Sequence, residues 1–330
     1  MLRLRGGSDP DKNPEMLQYY SLSVAHLRGR LDCEAERTSD GMVAHILSHL
    51  CLCMRRGDWT AWKAHIDGLA AIAKARKGLA HLGPSAQTYM LLADLGGSMV
   101  YDTVPRLALP IYLSPPHKTP LNALPGRLRE LATQSFSDSS TMVQTVQALE
   151  RVFLVAKEVN EKSTSPLFWQ QDKDGLHLLG QCIHFLLSMP RLSNVLDHNP
   201  GSDELIMEMV RLVSLGIMSR LKAMFSFNAP EQAQLEQGLS SLTTSYARQV
   251  SGAYRDLKIW VLVTATLLHE GVVRAVYLRE IRYEMDTTGE MDAYACVKIA
   301  KDFIWFDALG TGRESDLIRD ITAYRGGDTV

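Results

Sequence analysis

His45, His49 and Cys53 recur at four-residue steps. On a helix such a row lies along one face, and an H-x3-H pair is one way to hold zinc. The helical rise separates His45 from Cys53 by about 12 Å along the axis, whereas a zinc ion needs each ligand atom within roughly 2.3 Å. At most two of the three can share an ion, and no glutamate follows His45 as in a zinc-protease helix. The row therefore reads as partly buried structural histidines. His65 and His81 flank the next apolar stretch with no nucleophile nearby in sequence, and packing is their expected role.

Other chemistries are excluded by pattern. The chain has no G-x-S-x-G elbow, no G-x-x-x-x-G-K loop and no G-x-G-x-x-G after a strand. Gly96-Gly97 and Gly310-Thr311-Gly312 are too short for phosphate loops and read as turns or close helix contacts. An all-α enzyme acting on diphosphates would carry an aspartate-rich metal box. Asp94 and Asp102 stand eight residues apart without paired carboxylates, and Asp286, Glu290 and Asp292 form a solvated acidic turn. Nothing there positions magnesium. Trp59, Trp62, Trp260 and Trp305 sit on apolar helical faces and are expected in the core. No catalytic, cofactor-binding or metal-binding residue is assigned, and no cofactor is expected.

The elements that carry these residues are helical throughout. At 330 residues and 46% hydrophobic, the chain can bury a large core. Its net charge of −2 offers no basic field for nucleic acid or an anionic membrane. Its five cysteines, odd in number and irregularly spaced, argue against a disulfide framework. The N-terminal stretch lacks the apolar core of a secretion signal. The longest apolar run, Ile259 to Leu268, is about half of a membrane span. A soluble protein in a reducing compartment is expected, with no membrane partner.

Helical spacing and capping residues place a helix from Pro14 to about Cys33 and a second after Thr38-Ser39-Asp40. A third follows Asp58, with Trp59, Trp62, Ile66, Leu69 and Ala73 on its apolar face and Gly78 as its left-handed stop. A fourth follows Pro84. Six of the thirteen prolines then fall between Pro105 and Pro125, which predicts an extended crossover and the best internal boundary in the chain. Further helices are expected over 139–160, 176–189, 202–224, 257–276, 292–305 and 314–324. With no alternating strand pattern, the fold class is all-α, a single large multi-helical domain of about ten helices.

The stretch Gly57 to Gly83 resembles a segment of the regulatory domain of fungal binuclear zinc-cluster transcription factors. The likeness rests on Gly57-Asp58-Trp59, Trp62, His65-Ile66-Asp67-Gly68-Leu69 and Arg76-Lys77-Gly78-Leu79, where Lys77 replaces the first of two glycines. Downstream, Asp94 to Pro105-Arg106-Leu107 is similar to that family's aspartate-to-Pro-Arg segment. Lys301 to Asp307 is similar to its closing helix. The resemblance implies a nuclear, all-α, non-catalytic regulatory region that binds other transcription regulators, a second copy of itself or a small effector. The family's six-cysteine DNA-reading module is missing from these 330 residues, so no sequence-specific DNA binding is expected of them. An all-α enzyme or helical scaffold with a small-molecule pocket is the alternative.

Overall fold

The computed structural model describes residues 14–113, 119–134, 139–192, 200–225, 233–289 and 291–324. Among them every regular element is helical, as the spacing of apolar residues predicts, with fourteen α-helices and no strand. In chain order these are α1 (Pro14–Asp32), α2 (Asp40–Arg56), α3 (Trp59–Ala75), α4 (Pro84–Tyr101), α5 (Gly126–Thr133), α6 (Ser140–Lys162) and α7 (Asp172–Ser188). Then follow α8 (Ser202–Met224), α9 (Ala233–Tyr246), α10 (Arg255–Leu268), α11 (Gly271–Thr288), α12 (Ala293–Phe303), α13 (Asp307–Gly310) and α14 (Glu314–Ala323).

Side-chain caps start several of these helices by satisfying backbone N–H groups that the first turn leaves bare. The Ser39 hydroxyl accepts from the Met42 N–H at 3.1 Å, and the Asp58 carboxylate accepts from the Ala61 N–H at 3.0 Å. Ser139 and Asp292 do the same for α6 and α12. The stop of α3 differs from expectation by one residue. Lys77 itself takes the left-handed conformation (φ 56°), Gly78 follows at the positive φ expected of it (117°), and the Gly78 N–H closes the turn on the Ala73 carbonyl at 2.8 Å. The lysine thus occupies the position that glycine fills without strain.

Four helices go beyond the sequence expectation of about ten. α5 and α13 are short, and α9 carries buried Leu235, Leu239 and Leu242 in a stretch for which the sequence reading placed no helix. The apolar stretch 257–276 is two helices. His269 is extended (φ −116°, ψ 164°), its ring N–H donates to the Ala265 carbonyl at 2.8 Å, and Gly271 enters α11 with φ 57°. A periodic pattern alone does not register such a break. Between Pro105 and Pro125 the described backbone holds only single 3-10 turns, at 111–113 and 121–123; Pro115 and Pro116 lie outside the described residues.

The chain divides into two compact units, one of residues 1–98 with 105–112, the other of 99–104 with 113–330. In the first unit α2, α3 and α4 bury Met42, Val43, Ile46, Leu50, Trp62, Ile66, Leu69, Met90, Leu91 and Leu95. The face of α3 ends on buried Ile72 rather than on Ala73, and Trp59 is only half-buried. α1 lies against α2 through Leu27, the buried one among its described side chains. In the second unit α8 and α10 are buried almost all round, the mark of helices at the centre of a large core. α6, α7, α9, α11 and α12 pack about them.

Candidate functional site

Trp62 is the keystone of the first unit. It is 1% exposed, and its indole N–H donates to the Ala93 carbonyl of α4 at 2.8 Å. Its benzo ring lies flat on Gly97, where a side-chain carbon would have no room. Gly96 is likewise occupied by the tip of Met54 from α2. The Gly96-Gly97 pair is therefore a close helix contact, one of the two roles its sequence allows. Asp94, fully buried beside this joint, accepts from the backbone N–H groups of Arg106 (3.1 Å) and Leu107 (2.7 Å) and from the Ser98 hydroxyl (3.3 Å). Arg106 reaches Asp67 on the exposed side of α3 at 3.1 Å. Tyr112 donates to the Pro84 carbonyl at 3.1 Å and pairs with the Thr88 hydroxyl at 2.8 Å. Asp94 is thus a carboxylate that binds backbone, which is what a buried acid needs to remain in a core.

The histidine row does not run on to Cys53. It turns across to α3. His45 and His49 stack with ring centroids 5.2 Å apart, and His49 stacks in turn on His65 at 4.9 Å. Tyr20 of α1 meets His49 edge-on at 5.4 Å. The Ser23 hydroxyl lies 2.8 Å from His45 Nε2 and 3.0 Å from His49 Nε2. A hydroxyl carries one proton, so with neutral rings it donates to one imidazole and accepts from the other. His49 is 3% exposed, and its Nδ1 faces no hydrogen-bond partner among the described residues. Burial, then the neighbouring His65 and His45, push His49 down to about 4. Burial also lowers His45 and His65, assisted at His45 by Arg30. Cys53 is raised to about 11, by burial first and then by Asp58. A protonated thiol is a poor nucleophile and a poor metal ligand. Among the described residues no group of three or more His, Cys, Asp or Glu is placed to hold a metal ion. His81 lies outside the stack, against Arg76, with Asp40 at 3.6 Å.

In the second unit, Asp102 is drawn into a buried charge cluster. It sits at φ 45° just past α4. Arg211, 0% exposed, donates to both its oxygens at 2.6 Å and to both oxygens of Glu208 at 2.7 and 2.8 Å. Arg191 donates to the Asp102 carbonyl at 2.8 Å and to its carboxylate at 3.2 Å. Burial alone would raise the Asp102 carboxyl, but the hydrogen bonds and charge of Arg211, with Arg191, outweigh it and hold it below its ordinary value. The arrangement saturates every oxygen, as a structural ion cluster does.

Trp260 is fully buried and donates to the Ile304 carbonyl at 2.9 Å. Trp305 lies past the end of α12, packed on Gly310, and its carbonyl accepts from Asn160 at 2.9 Å. Asp286 pairs with Arg282 at 3.0 Å and Asp292 caps α12, while Glu290 lies outside the described residues. Two shallow clefts of about 200 and 240 Å3 open on this unit. In the first Arg127 meets Asp256, and in the second Arg274 meets Asp320 and Arg319 meets Asp316. Both are below the usual size of small-molecule sites. Among the described residues no helix is long and apolar enough to cross a membrane, and all five cysteines are free thiols.

Tyr20 and Ser23 are the members of the stack that sequence reasoning misses. Their spacing with Leu27 on α1 marks one helix face, but nothing local says which histidines it meets. Asp102 and Arg211 are 109 residues apart, and no local pattern joins them.

No family model, curated protein or solved structure matches the chain. The functional reading therefore rests on the residues.

Proposed function

We propose that the chain is a non-catalytic regulatory domain of the kind attached to fungal zinc-cluster transcription factors, acting in the nucleus on other regulators, on a second copy of itself or through a small effector. One observation carries the reading. Two of the three stretches that resemble that family, Gly57–Gly83 and Asp94–Leu107, are separate in sequence yet meet in one joint. Trp62 of the first donates to Ala93 and covers Gly97, Asp94 binds the backbone of Arg106 and Leu107, and Arg106 returns to Asp67 of the first. Residues that resemble a family at scattered positions by chance have no reason to be one another's partners. The near-neutral net charge supports the view that reading DNA is not the task of this chain.

The expected result in a DNA titration by fluorescence anisotropy is weak, sequence-independent binding, about 10⁻⁴ to 10⁻⁶ M at physiological salt. Tight binding to one sequence over its scrambled control would refute the proposal.

A further inference from the structure

We propose that Lys222 is a reactive amine that captures small aromatic aldehydes as a reversible imine at the C-terminal end of α8. The inference stands on the surroundings of one side chain and does not depend on the proposed regulatory role.

Lys222 lies in the last turn of α8 and is 5% exposed. A buried lysine ordinarily has a carboxylate or a carbonyl to hold its charge. Lys258 in the same unit has both: its amine lies 2.6 Å from Glu284 and donates to the Ala247 carbonyl at 3.2 Å. Lys222 makes no ion pair and no side-chain hydrogen bond among the described residues, and burial alone acts on its charge. Its amine is not sealed off from solvent, in contrast to the unpartnered hydroxyls of Ser214 and Tyr277.

Two contacts define the face of α8 that carries it. Phe225, three residues on, lays its ring on Gly175 in the first turn of α7. Arg211, eleven residues back, meets Arg191 beyond the other end of α7 through Asp102. With 3.6 residues per turn, Lys222 stands within about 60° of both, so its side chain faces α7. Phe225 also meets Phe168 at 5.0 Å and Trp169 at 4.9 Å, and those two rings meet each other at 4.9 Å. Phe225 is enclosed, while Phe168 and Trp169 are half-buried. Residues one turn apart on a helix are neighbours, so the amine stands beside an aromatic wall that reaches the surface.

The chemistry follows from the missing partner. An ammonium without a counter-charge in an apolar site gives up its proton readily. Burial brings Lys222 down to about 8. At pH 7.5 about a quarter of such amines are neutral, against about a thousandth of ordinary lysines. A neutral amine adds its electron pair to an aldehyde carbon, the carbonyl oxygen leaves as water, and C=N replaces C=O. The step needs no oxidant or reductant, and water reverses it. The rings beside the amine favour an aldehyde with a flat apolar body.

Treating the whole chain with benzaldehyde and sodium cyanoborohydride tests this, because the hydride turns each imine into a stable secondary amine that peptide mass spectrometry locates. Lys222 should be labelled at least about tenfold faster than exposed Lys63 and Lys74. With acetaldehyde, which has no ring, that preference should fall at least about threefold. In Lys222→Met the fast reaction should vanish while the circular dichroism spectrum is unchanged. Lys222 left unlabelled, or labelled no faster than Lys63 and Lys74, would overturn the proposal, as would a fast reaction that survives in Lys222→Met. An equal or greater preference with acetaldehyde would overturn the assignment of an aromatic ligand. If Lys222→Met does not fold, the label map of the wild type decides by the same outcomes.

Discussion

Replacing Trp62 by phenylalanine and Gly97 by alanine, singly and together, probes the joint that the functional reading depends on. Trp62→Phe removes the N–H that donates to the Ala93 carbonyl, and with it the benzo ring that covers Gly97. A buried hydrogen bond broken from one side costs about 1–3 kcal/mol. The lost apolar contact adds about 1 kcal/mol, giving roughly 2–4 kcal/mol in all. Gly97→Ala forces a methyl into the Trp62 ring, an overpacking cost of about 1–3 kcal/mol. That cost is offset by up to about 1 kcal/mol of helix propensity. In the double variant the methyl occupies the space the benzo ring has left. The pair should therefore be more stable than the sum of the single changes by about 1–3 kcal/mol. Urea unfolding of the four proteins, followed by far-ultraviolet circular dichroism, measures the coupling. Additivity within about 0.5 kcal/mol would mean that the two residues do not constrain each other, and the packing argument would fail.

Two further perturbations follow from the fold. Lys77→Gly relieves a left-handed lysine at the end of α3 and should stabilise the protein by about 1 kcal/mol in spite of the added backbone freedom; a lowered unfolding midpoint would refute this. Arg211→Met leaves Asp102 and Glu208 without their buried partner and should cost about 3–5 kcal/mol in urea unfolding. A near-neutral effect would show that the cluster relaxes into solvent.

The helices were legible where apolar periodicity coincided with a cap. Ser39, Asp58, Ser139 and Asp292 each start a helix at the residue their chemistry favours. The break at His269–Glu270 was hidden because apolar residues continue on both sides of it and its cause is backbone conformation. Lys77 was misjudged for a related reason: Gly78 looked like the stop, while the closing hydrogen bonds place the lysine one position earlier in the left-handed region. The histidines were visible as a row along α2, yet the stack is a tertiary object. Its line crosses from His49 to His65 and takes Ser23 and Tyr20 from α1, partners that no spacing within one helix can reveal. The same holds for Asp94. Its sequence raised the question of a metal box, and only the fold shows a carboxylate occupied by the backbone of 106–107.

The proposed role is to regulate transcription without reading DNA. Its most direct test fuses the whole chain to an unrelated DNA-reading module and measures a reporter gene carrying that module's site in fungal cells. Reporter output clearly raised or lowered relative to the module alone is the expected result, with the effect lost when Asp94→Ala breaks the joint. Output indistinguishable from the module alone, with the fusion folded and present at the promoter, would contradict it.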